Sequence, residues 1–291
     1  MSDTRSLPPV SATSGPAQRR RATGTNETAE IARIARRDRR KRGRDVLLGI
    51  ATPVVLVLAW QLTTSLGLVD PVIFTPPTQI MSAAGDLLAD GTLEQDVMAT
   101  LVRLGVGYLV GAAGGIVVGL ALGLSRPLRA AFSPLFAALY AIPQIALLPL
   151  LLVIFGIGEL PKILTVVAVT FFVMEINTIS GIRDLDPRLL EAGRAYGATG
   201  WRQLVHVLLP GCLPSVFTGL RVAIALALVA ITATEMVASD DGLGYLVWNS
   251  WQLFQPPNMY VGLVAIALLG AVSTGVVLLA ERVALPWSTR H

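Results

Sequence analysis

Residues 100–123 read TLVRLGVGYLVGAAGGIVVGLALG. Apart from Arg103 the run is uncharged, and a helix needs about 20 mostly apolar residues to cross roughly 30 Å of hydrocarbon. Gly107, Gly111, Gly115, Gly119 and Gly123 recur at every fourth position, which aligns them on one helix face. A face without side chains lets another backbone approach closely. Two partners fit that face, a helix of the same chain or a second subunit.

Working outward, five more stretches have the length and apolarity of a span, at 46–66, 130–155, 163–182, 214–237 and 258–281, beside 101–124 for the quoted run. The expected fold class is an all-α membrane protein with six transmembrane helices. Whole-chain composition agrees: 53% of the 291 residues are hydrophobic and 14% charged, against roughly 25% charged in soluble domains. In the third stretch Pro134, Pro143 and Pro149 each remove a backbone donor, which predicts a kinked helix.

Charge is divided unevenly. Residues 1–45 hold 12 basic and 5 acidic groups, and eight of the basic ones fall within Arg33 to Arg44. This segment reads as a disordered basic cytoplasmic tail, with too little apolar surface to offset ordering entropy and with attraction for anionic lipid headgroups. Without interleaved aromatics it does not read as a nucleic-acid binder. With that tail inside and six crossings, 20 of the 23 Lys and Arg fall on the cytoplasmic side and only Lys162 outside, while Arg103 and Arg221 lie at or within spans. The positive-inside rule then places both termini in the cytoplasm, 286–291 being the C-terminal end. On the outer side, 69–100 is acidic, and Ile80, Leu87 and Leu88 are spaced for one face of a short interfacial helix after Pro76-Pro77.

Several chemistries are excluded. The single cysteine, Cys212, cannot form an intrachain disulfide, and His206 and His291 alone supply no metal-ligand cluster. Lys41 and Lys162 follow Arg40 and Pro161, so no P-loop is present and the chain binds no nucleotide cofactor by that motif. No nucleophile, base and metal constellation converges to suggest a membrane enzyme.

The longest internal cytoplasmic loop, 183–213, reads RDLDPRLLEAGRAYGATGWRQLVHVLLPGCL. Asp186 and Pro187 form an N-cap and first helical position, Leu189, Leu190, Ala192 and Ala195 an apolar side, and Gly197 a stop. A second short helix is expected from Gly200 to about Leu208, ahead of Pro210. Two small helices joined at a glycine make a compact knob that a soluble partner could grip.

Glu191-Ala192-Gly193, Gly197 six positions after Glu191, then Val207 and Leu209-Pro210 resemble the EAA loop of binding-protein-dependent ABC importer permeases. Gly193 stands where alanine is usual and Val207 where isoleucine is. The similarity runs over 46–285 and looks closest to the nitrate/sulfonate/taurine branch, through the quoted run, the IPQIALLPLLLVIFGIGELPKI stretch, Asn177 to Gly181 and Thr234 to Leu246.

The resemblance implies a permease domain over 46–285 that conducts a small polar solute inward across a prokaryotic plasma membrane. It implies a second permease subunit, an identical copy being the simplest arrangement. An external binding protein would deliver cargo, and two ATP-binding-cassette subunits would carry ATP and Mg. Glu191, Ala192, Gly193, Gly197, Leu209 and Pro210 would couple to those ATPases, Glu191 to Tyr196 entering a groove on their surface.

Charges in apolar spans are costly, so Glu175, Asn177, Arg221 and Glu235 are the pathway candidates. Glu235, near Asp240 and Asp241, reads as an exposed rim carboxylate or a gate residue. Glu175 falls where the family is commonly apolar or proline-containing, and reads as a specificity determinant or as a partner of Arg221. A carboxylate there would repel a purely anionic cargo. The alternative is an ion-gradient-driven secondary transporter using Glu175 and Glu235. Trp248 and Trp251 read as interfacial anchors, Arg103 as a residue that snorkels to the interface, and His206 as a packing residue.

Overall fold

The structure is a computed structural model, and residues 48–49, 51–70 and 73–286 are described. The basic tail, with Arg33 to Arg44, and the last five residues lie outside them. Among the described residues every regular element is helical. Helix α1 spans Ala51–Ser65 and exposes Val54, Val55, Leu56, Leu58 and Leu62. Its described length is shorter than the 46–66 span expected from sequence.

The remaining helices are α2 (Pro77–Ala89), α3 (Thr92–Leu124), α4 (Arg126–Tyr140), α5 (Leu148–Phe155), α6 (Glu159–Arg183), α7 (Pro187–Ala195), α8 (Trp201–Gln203), α9 (Leu209–Ala238), α10 (Leu243–Gln252) and α11 (Pro256–Ala284). α3, α6, α11 and the continuous helix Trp201–Ala238 are each long and apolar enough to cross a membrane. α4 with the segment Gln144–Phe155 makes a fifth if the bent pair counts as one span. α3 starts nine residues before the expected span because Gly91, in the left-handed region at φ 81°, breaks the chain after α2 and lets a new helix start at Thr92. At 1.5 Å per residue its 33 residues reach about 50 Å, well beyond the hydrocarbon thickness.

The centre is the packing of α3 along α6 and of α6 along α9, with α10 and α11 against α9 and α2 against α11. Glycine makes the first contact possible. A Cβ at Gly107 would sit 2.6 Å from that of Val166, at Gly111 2.6 Å from the Val167 carbonyl oxygen, and at Gly115 2.5 Å from the Phe171 carbonyl oxygen. At Gly119 it would meet Thr178 and at Gly123 Ile182. The fourfold glycine spacing is therefore filled from within the chain by α6. Leu104, Val166, Met174, Ala223, Ala227 and Ile231 are almost fully buried around this seam.

Two elements depart from the sequence expectation. The third stretch is two helices bent by 85°, not one kinked span. Pro143 cannot donate a backbone hydrogen bond and disfavours helical geometry at Ile142. The chain therefore turns through a 3-10 segment, Gln144–Leu147, before α5 restarts with a proline in its first turn. Pro134 is accommodated within α4. In the acidic segment expected on the outer side, the helix after Pro76 is present as α2, and it buries Ile80, Ala83 and Leu87; Leu88, one position on, is exposed.

The seam gives a direct test. Gly115→Val should lower the thermal midpoint of the detergent-purified protein and its membrane yield, by an overpacking cost of about 1–3 kcal/mol. Gly105→Ala, on the same helix but with open space around it, should be neutral or stabilising by up to about 1 kcal/mol through helix propensity. Equal behaviour of the two variants would contradict the close approach of α3 and α6.

Candidate functional site

Three features carry functional chemistry, and the helices place them apart. The first is the knob between α6 and α9. The Asp186 side chain accepts the Arg188 amide at 2.9 Å and Pro187 opens α7, as the sequence predicts. α7 ends where Gly197 takes φ 80° and the Ala198 amide reaches back 2.9 Å to the Gly193 carbonyl. The return begins at α8 and runs through a π-helical turn, Leu204–Leu208, straight into α9. Pro210 does not stop it: it follows directly on the π-helical turn, and the helix continues past it although the ring removes one backbone donor.

Gly193 is where the two halves of the knob touch, since a Cβ there would meet Val207 Cγ2 at 2.9 Å. The absent alanine methyl thus makes room for Val207. None of the residues of α7 is buried. Tyr196 is 93% and Trp201 74% exposed, beside exposed Leu189 and Glu191. Aromatic rings left in water on a capped, ordered knob form the type of anchor that a protein interface buries.

At the other ends of the same helices lies a buried charge cluster. Arg103 of α3 is 3% exposed and forks three ways: to Glu159 at 2.5 and 2.7 Å, to Glu235 at 2.9 Å, and to the Asp241 side chain and carbonyl at 2.5 and 3.1 Å. Lys162 bonds Glu159 at 2.8 Å and Ser239 at 2.9 Å. The first amides of α10 are capped by other helices: Gly242 N–H donates to Asp96, Leu243 N–H to Thr100 and Gly244 N–H to Glu235. Thr100 also donates to Glu235. Carboxylates at a helix N-terminus meet both its free donors and its positive dipole end.

Two expectations are corrected here. Glu235 is not an exposed rim carboxylate; it is 0% exposed, with Arg103, Thr100 and Gly244 as partners. Arg103 does not snorkel, because three carboxylates hold it inside. Sequence reading also missed Asp96, Thr100, Glu159, Lys162 and Asp241 as one group. The available signal was Lys162, the only basic residue expected outside, three positions after Glu159.

The third feature is Glu175, 3% exposed on α6. It borders a cavity of about 330 Å³ between α4 and α6 together with Ser133, Phe136, Tyr140, Ser180 and Arg183. Arg221 is not its partner, since Arg221 pairs with Glu281 of α11. Asn177 donates to the Val173 carbonyl of its own helix at 2.8 Å, and its Cβ lies against Gly219. The four pathway candidates therefore occupy separate places, and only Glu175 among them borders this cavity. Trp248 and Trp251 stack at 4.9 Å on α10, beside Met236 and Met259. His206 Nδ1 lies 3.1 Å from the Arg202 carbonyl oxygen in the π-helical turn. No group of three or more His, Cys, Asp or Glu able to hold a metal occurs among the described residues.

Long apolar helices around a glycine seam, with a capped knob between two of them, are the architecture of a helical membrane protein. Residues 111–285 match the family described as binding-protein-dependent transport system inner membrane component, and the chain belongs to it. It is 35% identical over 239 residues to the putative aliphatic sulfonates transport permease protein SsuC of Escherichia coli (strain K12), covering 82% of this chain and 91% of that one. It is 31% identical over 231 residues to the taurine transport system permease protein TauC of the same organism, covering 78% and 84%. Among solved structures, a chain of the inward-facing MetNI methionine ABC transporter superposes with a TM-score of 0.60 at 22% identity, covering 66% of this chain and 96% of that one. That likeness is one of fold.

Arg103 holds the cluster together, and its removal should leave Glu235 buried without its cation. Arg103→Ala should cost about 3–5 kcal/mol, as for other broken buried pairs, read as a collapse of monodisperse protein in size-exclusion chromatography and a lower melting midpoint. Glu159→Ala should cost no more than about 1 kcal/mol, since that carboxylate is 56% exposed and screened by solvent. A milder effect at Arg103 than at Glu159 would refute the ranking.

Proposed function

We propose that the chain is the permease subunit of an ABC importer and forms, with a second and identical permease copy, the translocation pathway for a small organosulfonate. The observation that supports this most is the knob, whose ordered, unburied α7 carries the Glu191 motif and leaves Tyr196 and Trp201 in solvent. An exposed pair of aromatics beside a polar helix fits a docking element for a soluble partner better than a connector. Its partners in this reading are two ABC subunits, which bind ATP and Mg, on the cytoplasmic side. On the outer side an extracytoplasmic substrate-binding protein hands over cargo. The sulfonate class rests on the similarity to the sulfonate and taurine permeases.

In this topology six spans place both termini in the cytoplasm of a prokaryotic cell, with the knob facing the same side. The basic residues Arg183, Arg188, Arg194 and Arg202 around the knob support that side. α1 serves as the first span, and the bent α4 and α5 as the third. Arg33 to Arg44 sit against anionic lipid headgroups. Coupling is mechanical: Glu191, Ala192, Gly193 and Gly197 shape the gripped helix, and Leu209 and Pro210 begin the long helix that carries its motion inward. Rigid-body transfer of this type is a recognised switching mode. The ion-carrier alternative gains nothing from Glu235, whose charge is already met by Arg103.

Gentle purification of the tagged chain from its native membrane tests the reading. A P-loop ATPase should accompany it in equal amount, and Glu191→Arg, a charge reversal at an exposed position, should deplete the ATPase at least about tenfold, as 1.4 kcal/mol or more of lost interface energy would. An intact permease that purifies alone under several mild detergents would overturn the proposal.

A further inference from the structure

Glu175 is the buried carboxylate that the fold leaves without a counter-charge. Among the described residues no hydrogen bond or ion pair engages its side chain, whereas Glu235, at similar burial, has a guanidinium, a hydroxyl and an amide. Isolated charge of this kind in an apolar span is costly and marks a functional position. The rest of the cavity fits a cation. Phe136 and Tyr140 line it, and their rings belong to an aromatic group with Phe171 and Phe172 at centroid distances of 5.9 to 6.4 Å. Aromatic faces and a carboxylate are the pair of features that recognise an ammonium group, and Ser133 adds a hydroxyl. Arg183 lines the same cavity eight residues further along α6, roughly 12 Å at 1.5 Å per residue. One cavity therefore presents a negative and a positive group in sequence along its wall.

We propose that the Glu175 cavity is a cargo subsite for a cationic nitrogen, so that the molecule conducted is a small organic anion that also bears an ammonium group. This rests on the reading of the chain as a sulfonate-conducting permease and narrows it to aminosulfonates. A plain alkylsulfonate would meet an uncompensated carboxylate and be repelled. A zwitterion supplies the missing counter-charge to Glu175 during passage and keeps its own anion for Arg183 and the solvent side. No covalent step is involved.

The test is uptake of radiolabelled 2-aminoethanesulfonate and of ethanesulfonate by cells carrying the complete transporter, with complex yield and ATP hydrolysis measured in parallel. Wild type should favour the amine-bearing probe. Glu175→Gln, isosteric and neutral, should reduce that preference roughly tenfold or more, as expected when a site built for a polar group loses it, at unchanged complex yield. Glu175→Asp should keep most of it. If the Gln variant fails to assemble, Ile179→Lys decides, since it offers the carboxylate an internal ammonium one turn away; it should lower the same ratio. An unchanged ratio in the variant that assembles, or equal loss of both probes, overturns the subsite. Preference for ethanesulfonate in wild type overturns it while the sulfonate permease stands. Uptake of neither probe removes the sulfonate reading itself, and the subsite with it.

Discussion

Everything in the helical core depends on how closely α3 and α6 approach. In lipid no hydrophobic driving force pulls two apolar helices together, so their association comes from close packing and the hydrogen bonds it permits. The glycines of α3 supply the packing by letting the backbone of α6 sit where side chains would otherwise stand. That contact fixes the phase of α6 about its own axis. With Met174 and Thr178 turned into the seam, Glu175 falls on the flank toward α4, where its cavity is.

The same phase sets the charge cluster. Arg103 is four residues before Gly107, one turn further toward the start of α3, and so lies on the seam side where Glu159 opens α6. Glu235 and Asp241 arrive from the end of α9 and the turn after it, and the amides of α10 finish the arrangement. Each charge in the group has a partner, which a low-dielectric interior requires of buried ions. The bundle thus treats charge differently at two places: in the cluster each charged side chain has a partner within the chain, and at Glu175 one carboxylate is left open.

Much of this was legible from residue order. The glycine period, the Asp186-Pro187 cap and the Gly197 stop are local signals, and each was found in place; of the six apolar runs, four lie in helices long enough to span a membrane. The motif around Glu191 was legible because its residues sit close together in sequence. What escaped were features made by residues far apart in the chain. Glu235 read as a rim carboxylate because its neighbours Asp240 and Asp241 suggested solvent, whereas its partners, Thr100 and Arg103, lie more than a hundred positions away. The 85° break escaped for a different reason: three prolines announce a disturbance, yet the angle depends on where the chain can pack afterwards. The single helix from Trp201 to Ala238 was hidden by Pro210 and Pro214, which look like stops and are both carried inside the helix, Pro210 directly after the π-helical turn.

That unbroken helix has a consequence for how force could travel. The 38 residues from Trp201 to Ala238 make a rod of about 57 Å at 1.5 Å per residue, with no loop in it to absorb displacement. A push on the exposed ring of Trp201 would be carried as tilt or torsion of the rod, which packs closely on Asn177 of α6 at Gly219. Its far end is tied to α3 through Glu235 and Arg103, so displacement of that tip would be passed to α3. The π-helical turn at Leu204–Leu208 is a departure from α-helical hydrogen bonding along this rod, and it lies beside Trp201 rather than at the Gly219 contact.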